Sequence, residues 1–200
     1  MSTLPQVDPR IISLHKKGND AFGTAKVFER RVASFRRKIQ LLTFAGLAIP
    51  SIVGGIFLAN VLNKPEYQKG LLDLAGILAA IQIPFAIWSL VANWPDRLEN
   101  ALSAASKNHR LSDDMKELAM SAAVALPADF DVRYAELKTR DDNQIEADTR
   151  ESLSARETFL VHRFALMQFG LICDTCKTRP LSIKIPYFKK HCETCGGPLP

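Results

Sequence analysis

The chain has 200 residues, of which 47% are hydrophobic, and a formal net charge of +5. Its mean hydropathy is near zero, but the apolar residues are concentrated between positions 41 and 94. The remaining residues suffice for one small domain and exclude two large ones. The first 40 residues do not resemble a secretory signal, because the apolar run begins too late and is too long.

Residues 1–40 carry nine Lys/Arg and three Asp/Glu, and we assign them to an N-terminal cytoplasmic amphipathic helix. A short helix is predicted from Arg10 to Lys17, and Asn19-Asp20 is a candidate N-cap for the next helix. From there, apolar residues recur at alternating spacings of four and three, which is typical of a helical seam. The seam consists of Ala21, Ala25, Phe28, Val32, Phe35, Ile39 and Leu42. It serves either oligomerisation or packing against a later helix of the same chain.

Two uncharged segments follow, and they predict a transmembrane hairpin. Residues 41–62 contain no charge and would form a helix about 33 Å long, enough to cross a hydrocarbon core of about 30 Å. Residues 71–94 hold a second such run, uncharged from Leu74 onward, and residues 63–70 form a short external loop between the two. No helix breaker separates the first span from the preceding seam, so one continuous helix is expected. The alternative is a buried helical hairpin of a soluble protein.

The positively charged residues around the hairpin predict its orientation. Arg36, Arg37 and Lys38 precede the first span, and Arg97 follows the second. Because Lys and Arg near span ends remain on the cytoplasmic side, both termini are expected in the cytoplasm. The predicted location is therefore the bacterial inner membrane, with a multi-pass topology. The basic cluster could also contact anionic lipid headgroups.

Small and polar residues within the spans indicate how the helices pack. Ser51, Gly55 and Ala59 recur every fourth residue, which permits close helix approach. Pro50 and Pro84 each remove one backbone hydrogen bond and favour a kink.

A polar stripe is predicted on the second span. Gln82, Ser89 and Asn93 share one face of an ideal helix. Such groups either form hydrogen bonds between helices or line a water-filled pore, and they are the candidate pore-lining residues.

Residues 95–170 predict a cytoplasmic helical region. The expected helices run from Arg97 to Lys107, Ser112 to Val124, Ala128 to Arg140 and Gln144 to Phe169, the last two separated or weakened at positions 141–143. Ser112 is the candidate N-cap of the second helix.

The final helix of this region carries an apolar stripe that predicts packing against the amino-terminal helix. The stripe comprises Leu153, Ala155, Phe159, Leu160, Phe164, Leu166 and Met167. The acid-rich run from Asp141 to Glu151 is interpreted as a solvated face.

All four cysteines lie in the last segment, residues 171–200. Cys173 and Cys176 form one C-x-x-C pair, and Cys192 and Cys195 form a second pair after a spacer of fifteen residues. Two such pairs supply the four thiolates of a structural zinc site, so we predict a zinc ribbon that binds one Zn²⁺. A redox dithiol is the competing interpretation, but the βαβ context of a catalytic C-x-x-C is missing.

The rest of this segment fits a ribbon. Residues 181–185 alternate as in a strand, and Gly196-Gly197 suits the turn of the second pair. His191 is interpreted as a bystander rather than a ligand. The basic residues of the segment (Lys177, Arg179, Lys184, Lys189 and Lys190) could contact nucleic acid, but solvated charge or a contact with membrane or acidic helix is favoured. Only Tyr187 and Phe188 are available for base stacking.

Sequence motifs of common enzyme classes are absent. The chain contains no phosphate-binding glycine loop, no G-x-S-x-G and no H-E-x-x-H. Once the zinc site is assigned, no cysteine remains as a nucleophile. We therefore expect no enzymatic activity.

The chain resembles the SLATT superfamily, the two-transmembrane effector domains of bacterial conflict systems. The resemblance covers roughly residues 20–169 and rests on a basic helix leading into a two-span hairpin with a short loop, including Ala21, Ala25, Arg30-Arg31 and the basic run before the span. The tandem C-x-x-C pairs look like those of mobile-element-associated proteins named for two such motifs, usually with a shorter spacer. This resemblance implies oligomerisation and permeabilisation of the inner membrane after a phage or nucleotide signal.

Two principal functions follow as hypotheses. The first is a pore-forming antiviral defence effector that acts as a homo-oligomer in the lipid bilayer, with the zinc ribbon in regulation or sensing through a signalling protein or nucleotide. The second is a membrane-anchored adaptor whose ribbon binds a protein or nucleic acid. A redox sensor is a third hypothesis, and it predicts zinc-free, reversibly oxidised cysteines.

Overall fold

The computed structural model of the protein describes residues 8–61, 68–184 and 191–197. Regular structure in these ranges is almost entirely helical, as the predicted mainly α fold requires. The helices are α1 (Pro9–Val61), α2 (Gln68–Val91), α3 (Trp94–Val124), α4 (Phe130–Arg150) and α5 (Ala155–Gln168). The chain divides into two compact units, unit 1 (Met1–Arg30 with Ala101–Pro200) and unit 2 (Arg31–Asn100).

The core of unit 1 is built from α1, α3 and α4. Apolar residues recur on one face of each helix, and their burial against one another stabilises the bundle by about 25 cal/mol per Å² of apolar surface. The largest are Leu14, Met115, Leu118 and Phe130, each at most 2% exposed. The remaining members of this cluster are Ile11, Ala21, Leu111, Ala119, Ala122 and Leu137, with Tyr134 packed against it.

Helix α5 packs on α1, which confirms the contact predicted from its apolar stripe. Val27 of α1 clusters with Leu160 and Val161 of α5, and Leu153 and Phe164 pack against this cluster. The seam residues Ala21, Ala25 and Phe28 are buried within the unit. This part of the seam therefore serves packing within the chain, one of the two roles that the spacing allowed.

The start of α1 differs from the sequence prediction. The helix begins at Pro9, and the Asp8 carboxylate accepts a hydrogen bond from the Arg10 backbone N–H over 2.8 Å. Asp before Pro is a favourable N-cap and N1 pair, which the prediction overlooked. Asn19-Asp20 lies inside α1 and is not an N-cap. Tertiary packing along α1 outweighs the weak local signal there.

The predicted helix start at Ser112 is wrong for a similar reason. Helix α3 runs from Trp94 to Val124 without a break, and Ser112 lies fully buried in its middle. The Ser112 hydroxyl donates a hydrogen bond to the Gly18 carbonyl of α1 over 2.7 Å. Its polar side chain therefore joins two helices instead of starting one.

The predicted weak point at residues 141–143 is also wrong. Helix α4 continues through it to Arg150, and the break falls before Ala155. Ser154 and Glu157 form a reciprocal capping box that starts α5. The S-x-x-E pattern was the available signal for this boundary.

The acid-rich run is not the solvated face that we predicted, because it contributes two buried carboxylates. Asp141 pairs with Lys17 of α1 and is only 6% exposed. Asp148 accepts a hydrogen bond from the Asn108 side chain over 2.8 Å. Both acids therefore connect α4 to other helices of unit 1.

Unit 2 contains the later part of α1, α2 and the first residues of α3. Gly46 of α1 faces Gln82 of α2, and a Cβ at this glycine would lie 3.5 Å from the Gln82 amide nitrogen. Helix α2 ends at Val91, and Asn93 adopts a left-handed conformation (φ 50°) in the turn before α3. Phe85 and Trp94 stack edge to face across this turn, with ring centroids 6.3 Å apart.

The two predicted spans, residues 41–62 and 71–94, stay predictions. Among the described residues, no single helix has the length and apolar composition needed to cross a bilayer. By length and composition alone, the bent pair Asp73–Ser89 and Trp94–Val124 meets the requirement together. Residue 62 of the first predicted span, residues 63–67 of the predicted external loop and the side chain of Ala59 lie outside the described residues.

Candidate metal centre

The two C-x-x-C pairs fold into two turns with the same hydrogen-bonding pattern. In the first, the Lys177 N–H donates to the Cys173 carbonyl over 2.8 Å. In the second, the Gly196 N–H donates to the Cys192 carbonyl over 2.9 Å. Lys177 and Gly196 both adopt positive φ, 53° and 62°. Glycine tolerates this conformation without strain, and lysine adopts it at a cost.

A second hydrogen bond closes each turn and makes the correspondence complete. The Cys173 N–H donates to the Thr178 carbonyl over 3.0 Å, and the Cys192 N–H donates to the Gly197 carbonyl over 2.8 Å. Each residue of the first turn thus has an equivalent nineteen positions later. Thr175 and Thr194, one such pair, are joined by a hydrogen bond of 2.7 Å between their hydroxyls.

The four thiols meet at one point between the turns. Their Sγ atoms all lie within 4.8 Å of one another, and all four residues are buried. Cys173 and Cys192 are 3.9 Å apart at sulfur, and Cys176 and Cys195 are 3.6 Å apart. Four sulfurs around a zinc ion at a Zn–S distance of about 2.3 Å would be separated by about 3.8 Å. The donor set therefore fits one tetrahedral metal ion.

The same distances exclude a disulfide arrangement in this structure. All four cysteines are free, and a disulfide requires sulfurs about 2.05 Å apart. The described residues 181–184 form no strand, contrary to the alternation in the sequence, and Ile185 lies outside the described residues. Among the described residues, the thiols are therefore brought together by turns and not by a strand.

The surroundings of the thiols shift their pKa values in opposite directions. A hydrogen bond with the Thr178 hydroxyl, 3.0 Å from sulfur, lowers the pKa of Cys176 to about 6. Burial raises the pKa of Cys195 to about 12. For Cys192, burial acts upward, but backbone N–H groups of Cys195 and Thr194 lower its pKa overall. Four buried thiols can lose all their protons only beside a cation, which a bound metal would supply.

Arg163 connects this centre to helix α5 within unit 1. It is 4% exposed, its Nη1 donates to the Cys195 carbonyl over 3.1 Å, and its Nε donates to the Ser182 carbonyl. Leu166 of α5 packs against the four cysteines. Sequence reasoning missed Arg163, because it assigned only the apolar stripe of α5. No local sequence pattern indicates this role, because the two acceptor carbonyls lie 19 and 32 residues further along the chain.

After α5, the chain turns into the first C-x-x-C pair. Gly170 has φ +66°, and the Leu171 N–H donates to the Leu166 carbonyl over 2.9 Å, as in a Schellman cap. A Cβ at Gly170 would lie 3.1 Å from the Arg179 guanidinium. The cap thus sets the direction in which Cys173 enters the centre.

The other predicted site residues lie elsewhere. His191 is exposed, its ring stacks edge to face on Phe159 at 5.5 Å, and it is not a member of the cysteine cluster. In unit 2, Gln82 is partly buried and Ser89 is buried, seven residues apart on α2. Asn93 is exposed in the turn beyond α2, so the three-residue helical stripe that we predicted includes only Gln82 and Ser89.

Comparison with known proteins agrees with the cysteine arrangement. Residues 13–198 match the family model described as "Mobilome CxxCx(11)CxxC protein". The spacer has fifteen residues in this chain, against eleven in that description, and the longer spacer still brings the four Sγ atoms together. No curated protein and no solved structure matches the chain. Because the match covers nearly the whole chain, the protein belongs to the mobilome CxxCx(11)CxxC family.

Proposed function

We propose that the protein is a membrane effector of a bacterial conflict system. In this proposal unit 2 inserts in the inner membrane as a hairpin, with both termini cytoplasmic. Several copies then assemble and form a pore or perturb the bilayer. The observation that carries the proposal is the apolar surface of unit 2.

Large apolar side chains cover unit 2 and remain exposed. Leu41, Phe44 and Leu47 of α1 are 69–71% exposed, and large apolar side chains of α2 are also mostly exposed. Among the described side chains of this unit, the large apolar ones that are exposed are Leu41, Phe44, Leu47, Ile52, Leu58, Leu74, Ile77, Ile81, Ile83, Phe85, Ile87, Trp88 and Val91. Soluble monomers rarely expose apolar patches of this extent, because water makes them costly. A lipid environment removes that cost.

The charges near unit 2 support the proposed orientation. Arg36, Arg37 and Lys38 are exposed just before the uncharged stretch of α1. Arg97 follows the second uncharged stretch. Basic residues on these sides of both stretches favour cytoplasmic termini.

Gln82 is the strongest candidate for a pore-lining residue. It lies in the uncharged stretch of α2, partly buried and close to Gly46 of α1. Ser89 shares its face but is buried in the hairpin, so it would reach a pore only after the helices rearrange. Pro50 and Pro84 interrupt the backbone hydrogen bonding of α1 and α2, which supports such a rearrangement.

The cysteine centre would hold one zinc ion and serve regulation. Four thiolates at tetrahedral spacing suit zinc, with iron the main competitor. Zinc would supply charge neutralisation and a fixed fold, while Arg163 links the second turn to α5. The role in bacterial conflict is proposed from the resemblance to SLATT effectors, and the family description adds an association with the mobilome.

Expression in bacterial cells with a potential-sensitive dye tests the proposal. We expect depolarisation and growth arrest, both weakened by Gln82→Leu. The matched control is Gln40→Leu, since Gln40 is exposed on α1 outside the uncharged stretch. Carbonate washing of the membranes shows whether the protein is inserted. If it is inserted and the membrane potential stays normal, the effector proposal is contradicted.

An adaptor is the second candidate, and the exposed apolar residues of the cysteine segment favour it. Leu181 is 88% exposed and Ile172 is 60% exposed, near the exposed cations Lys177 and Arg179. A surface of this kind suits a protein partner. If Leu181→Asp abolishes biological activity while Gln82→Leu does not, the adaptor replaces the effector.

A further inference from the structure

We propose that unit 2 binds one acyl chain of an anionic phospholipid in the groove between α1 and α2, with Lys38 beside the phosphate. This inference rests on the proposed membrane location. It adds a specific ligand for the groove between the two helices.

The groove has apolar walls and the size of a ligand site. Its volume is about 430 Å³, within the range of about 300–1,000 Å³ that small-molecule sites occupy. Leu41, Phe44 and Ile49 line it from α1, and Leu78, Ile81 and Phe85 line it from α2. Such walls suit a hydrocarbon chain and offer little to a polar ligand.

One end of the groove is cationic and aromatic. Lys38 and Trp94 lie at this end, and Leu42, Ala45 and the Gln82 side chain complete the lining. The Lys38 ammonium lies 5.6 Å from the Trp94 ring centroid and 5.4 Å from that of Phe35. No carboxylate of the described residues forms an ion pair with Lys38. Its charge therefore remains available to an anion.

The surrounding charge adds to this preference. Residues 31–40 and 94–100, at the same end of unit 2, contain five Lys/Arg and two Asp/Glu. Basic residues at the cytoplasmic boundary of a membrane helix pair attract anionic headgroups. Trp94 is of the residue type that favours the membrane–water interface.

The order of groups along the groove favours a phospholipid over other ligands. Lys38 precedes the first uncharged residue of the α1 stretch by three positions, and the apolar lining continues from there. An anionic phospholipid has the same order, a phosphate followed by a hydrocarbon chain. A second copy of this chain would fill the apolar walls but would leave Lys38 without a partner unless it also supplied a carboxylate.

Tryptophan fluorescence gives a direct test with the full-length protein. The sequence has two tryptophans, so the Trp88→Phe variant reports on Trp94 alone. We would reconstitute it in phosphatidylcholine vesicles containing brominated phosphatidylglycerol or brominated phosphatidylcholine. We expect Trp94 to be quenched with a relative association constant about fivefold higher for phosphatidylglycerol.

Neighbouring cations provide the matched control. In the Trp88→Phe background, Lys38→Gln should remove most of that preference, whereas Arg36→Gln should change it less than twofold. Arg36 belongs to the same basic run but does not line the groove. An equal loss of the phosphatidylglycerol preference in both variants would mean that diffuse surface charge causes the preference, and it would overturn the proposed site. Retained preference in Lys38→Gln would overturn it too.

A second variant and a dilution series complete the test. Ala45 lines the groove, so Ala45→Phe should fill it and lower the quenching by phosphatidylglycerol. If quenching instead falls as the protein-to-lipid ratio rises, a second copy occupies the groove and the lipid assignment is wrong.

Carbonate extraction of the same vesicles separates the two proposals: loss of the protein from the membrane contradicts the membrane location itself. Firm insertion without lipid preference contradicts only this inference.

Discussion

Arg163 donates a hydrogen bond from Nη1 to the Cys195 carbonyl oxygen over 3.1 Å. The same side chain reaches the Ser182 carbonyl through Nε. One buried guanidinium on α5 therefore contacts both the second cysteine turn and the segment before it. This contact joins the metal centre to the helical part of unit 1.

Substitution of Arg163 should weaken metal binding without removing a ligand. Arg163→Met retains the apolar stem and leaves the buried Cys195 carbonyl without this donor, at a cost of about 1–3 kcal/mol. Groups that support metal ligands typically change affinity by about 10–100-fold. Chelator competition should show a loss of zinc affinity in that range. Arg110→Met, on the exposed face of α3, is the control, and equal affinities in the two variants would contradict the role of Arg163.

Metal analysis should find one zinc ion per chain, held by the four cysteines. Cobalt substitution should give the absorption bands of tetrahedral thiolate coordination, and Cys192→Ser should abolish them. Removal of the metal should increase hydrogen exchange in residues 171–184 and 191–197, because four separated thiols contribute little core of their own. Zinc-free native protein with a reversible disulfide would instead support the redox sensor.

Gly23 marks the closest approach of α1 and α5. A Cβ at this position would lie 2.1 Å from the Val161 carbonyl oxygen. Gly23→Ala must therefore push the helices apart, with a cost of about 1–3 kcal/mol or more. Hydrogen exchange of α5 amides measures the change in the opening free energy.

Gly18→Ala is the matched variant on the same helix. Its added Cβ would meet its nearest neighbours at 3.4 Å, and the better helix propensity of alanine, about 1 kcal/mol, opposes any crowding. We expect little change in the opening free energy of α5. If the two variants destabilise α5 equally, the close approach at Gly23 does not limit the packing.

Protonation of Glu29 in acid should lower the stability of unit 1. Burial acts to raise the pKa of Glu29, but hydrogen bonds from Lys26 and His109 outweigh it and lower the pKa below its usual 4.5. The contribution of ionised Glu29 to the stability of unit 1 is therefore fully present above pH 4.5. It is lost as the pH falls through the lowered pKa that Glu29 has in the folded protein.

A comparison of thermal midpoints between pH 6 and pH 3 measures this contribution. The difference in Tm between the native protein and Glu29→Gln should shrink as the pH falls below 4.5. The control is Glu146→Gln, which removes an exposed partner of Arg150. Because such surface pairs contribute about 0–1 kcal/mol, this variant should change Tm little at either pH. A constant difference for Glu29→Gln across this pH range would refute the assignment.

Periodicity and spacing predicted the parts of the protein that depend on local sequence. The seam through Ala21, Ala25 and Phe28 is buried as a helix face, and the two C-x-x-C pairs meet as the zinc pattern requires. Both signals are strong because they repeat at fixed intervals. The contact of α5 with α1 followed from the same reasoning.

Helix boundaries and buried polar groups depended on tertiary contacts that the sequence does not display. Ser112 resembles an N-cap, yet its hydroxyl binds the Gly18 carbonyl of a distant helix. Asp141 resembles a solvated acid, yet it pairs with Lys17, 124 residues away. The role of Arg163 became visible only when the second cysteine turn was placed beside α5. In each case the neighbours in sequence do not indicate the role of the polar residue, because its hydrogen-bond or ion-pair partner lies elsewhere in the fold.

Current through planar bilayers tests the effector proposal most directly. Purified full-length protein, loaded with zinc, should give discrete conductance steps that Gln82→Leu reduces and Gln40→Leu leaves unchanged. Incorporation can be verified in vesicles of the same lipid by carbonate extraction. Protein that inserts firmly and yet passes no current, with or without its metal, would contradict a conducting effector and favour the membrane-anchored adaptor.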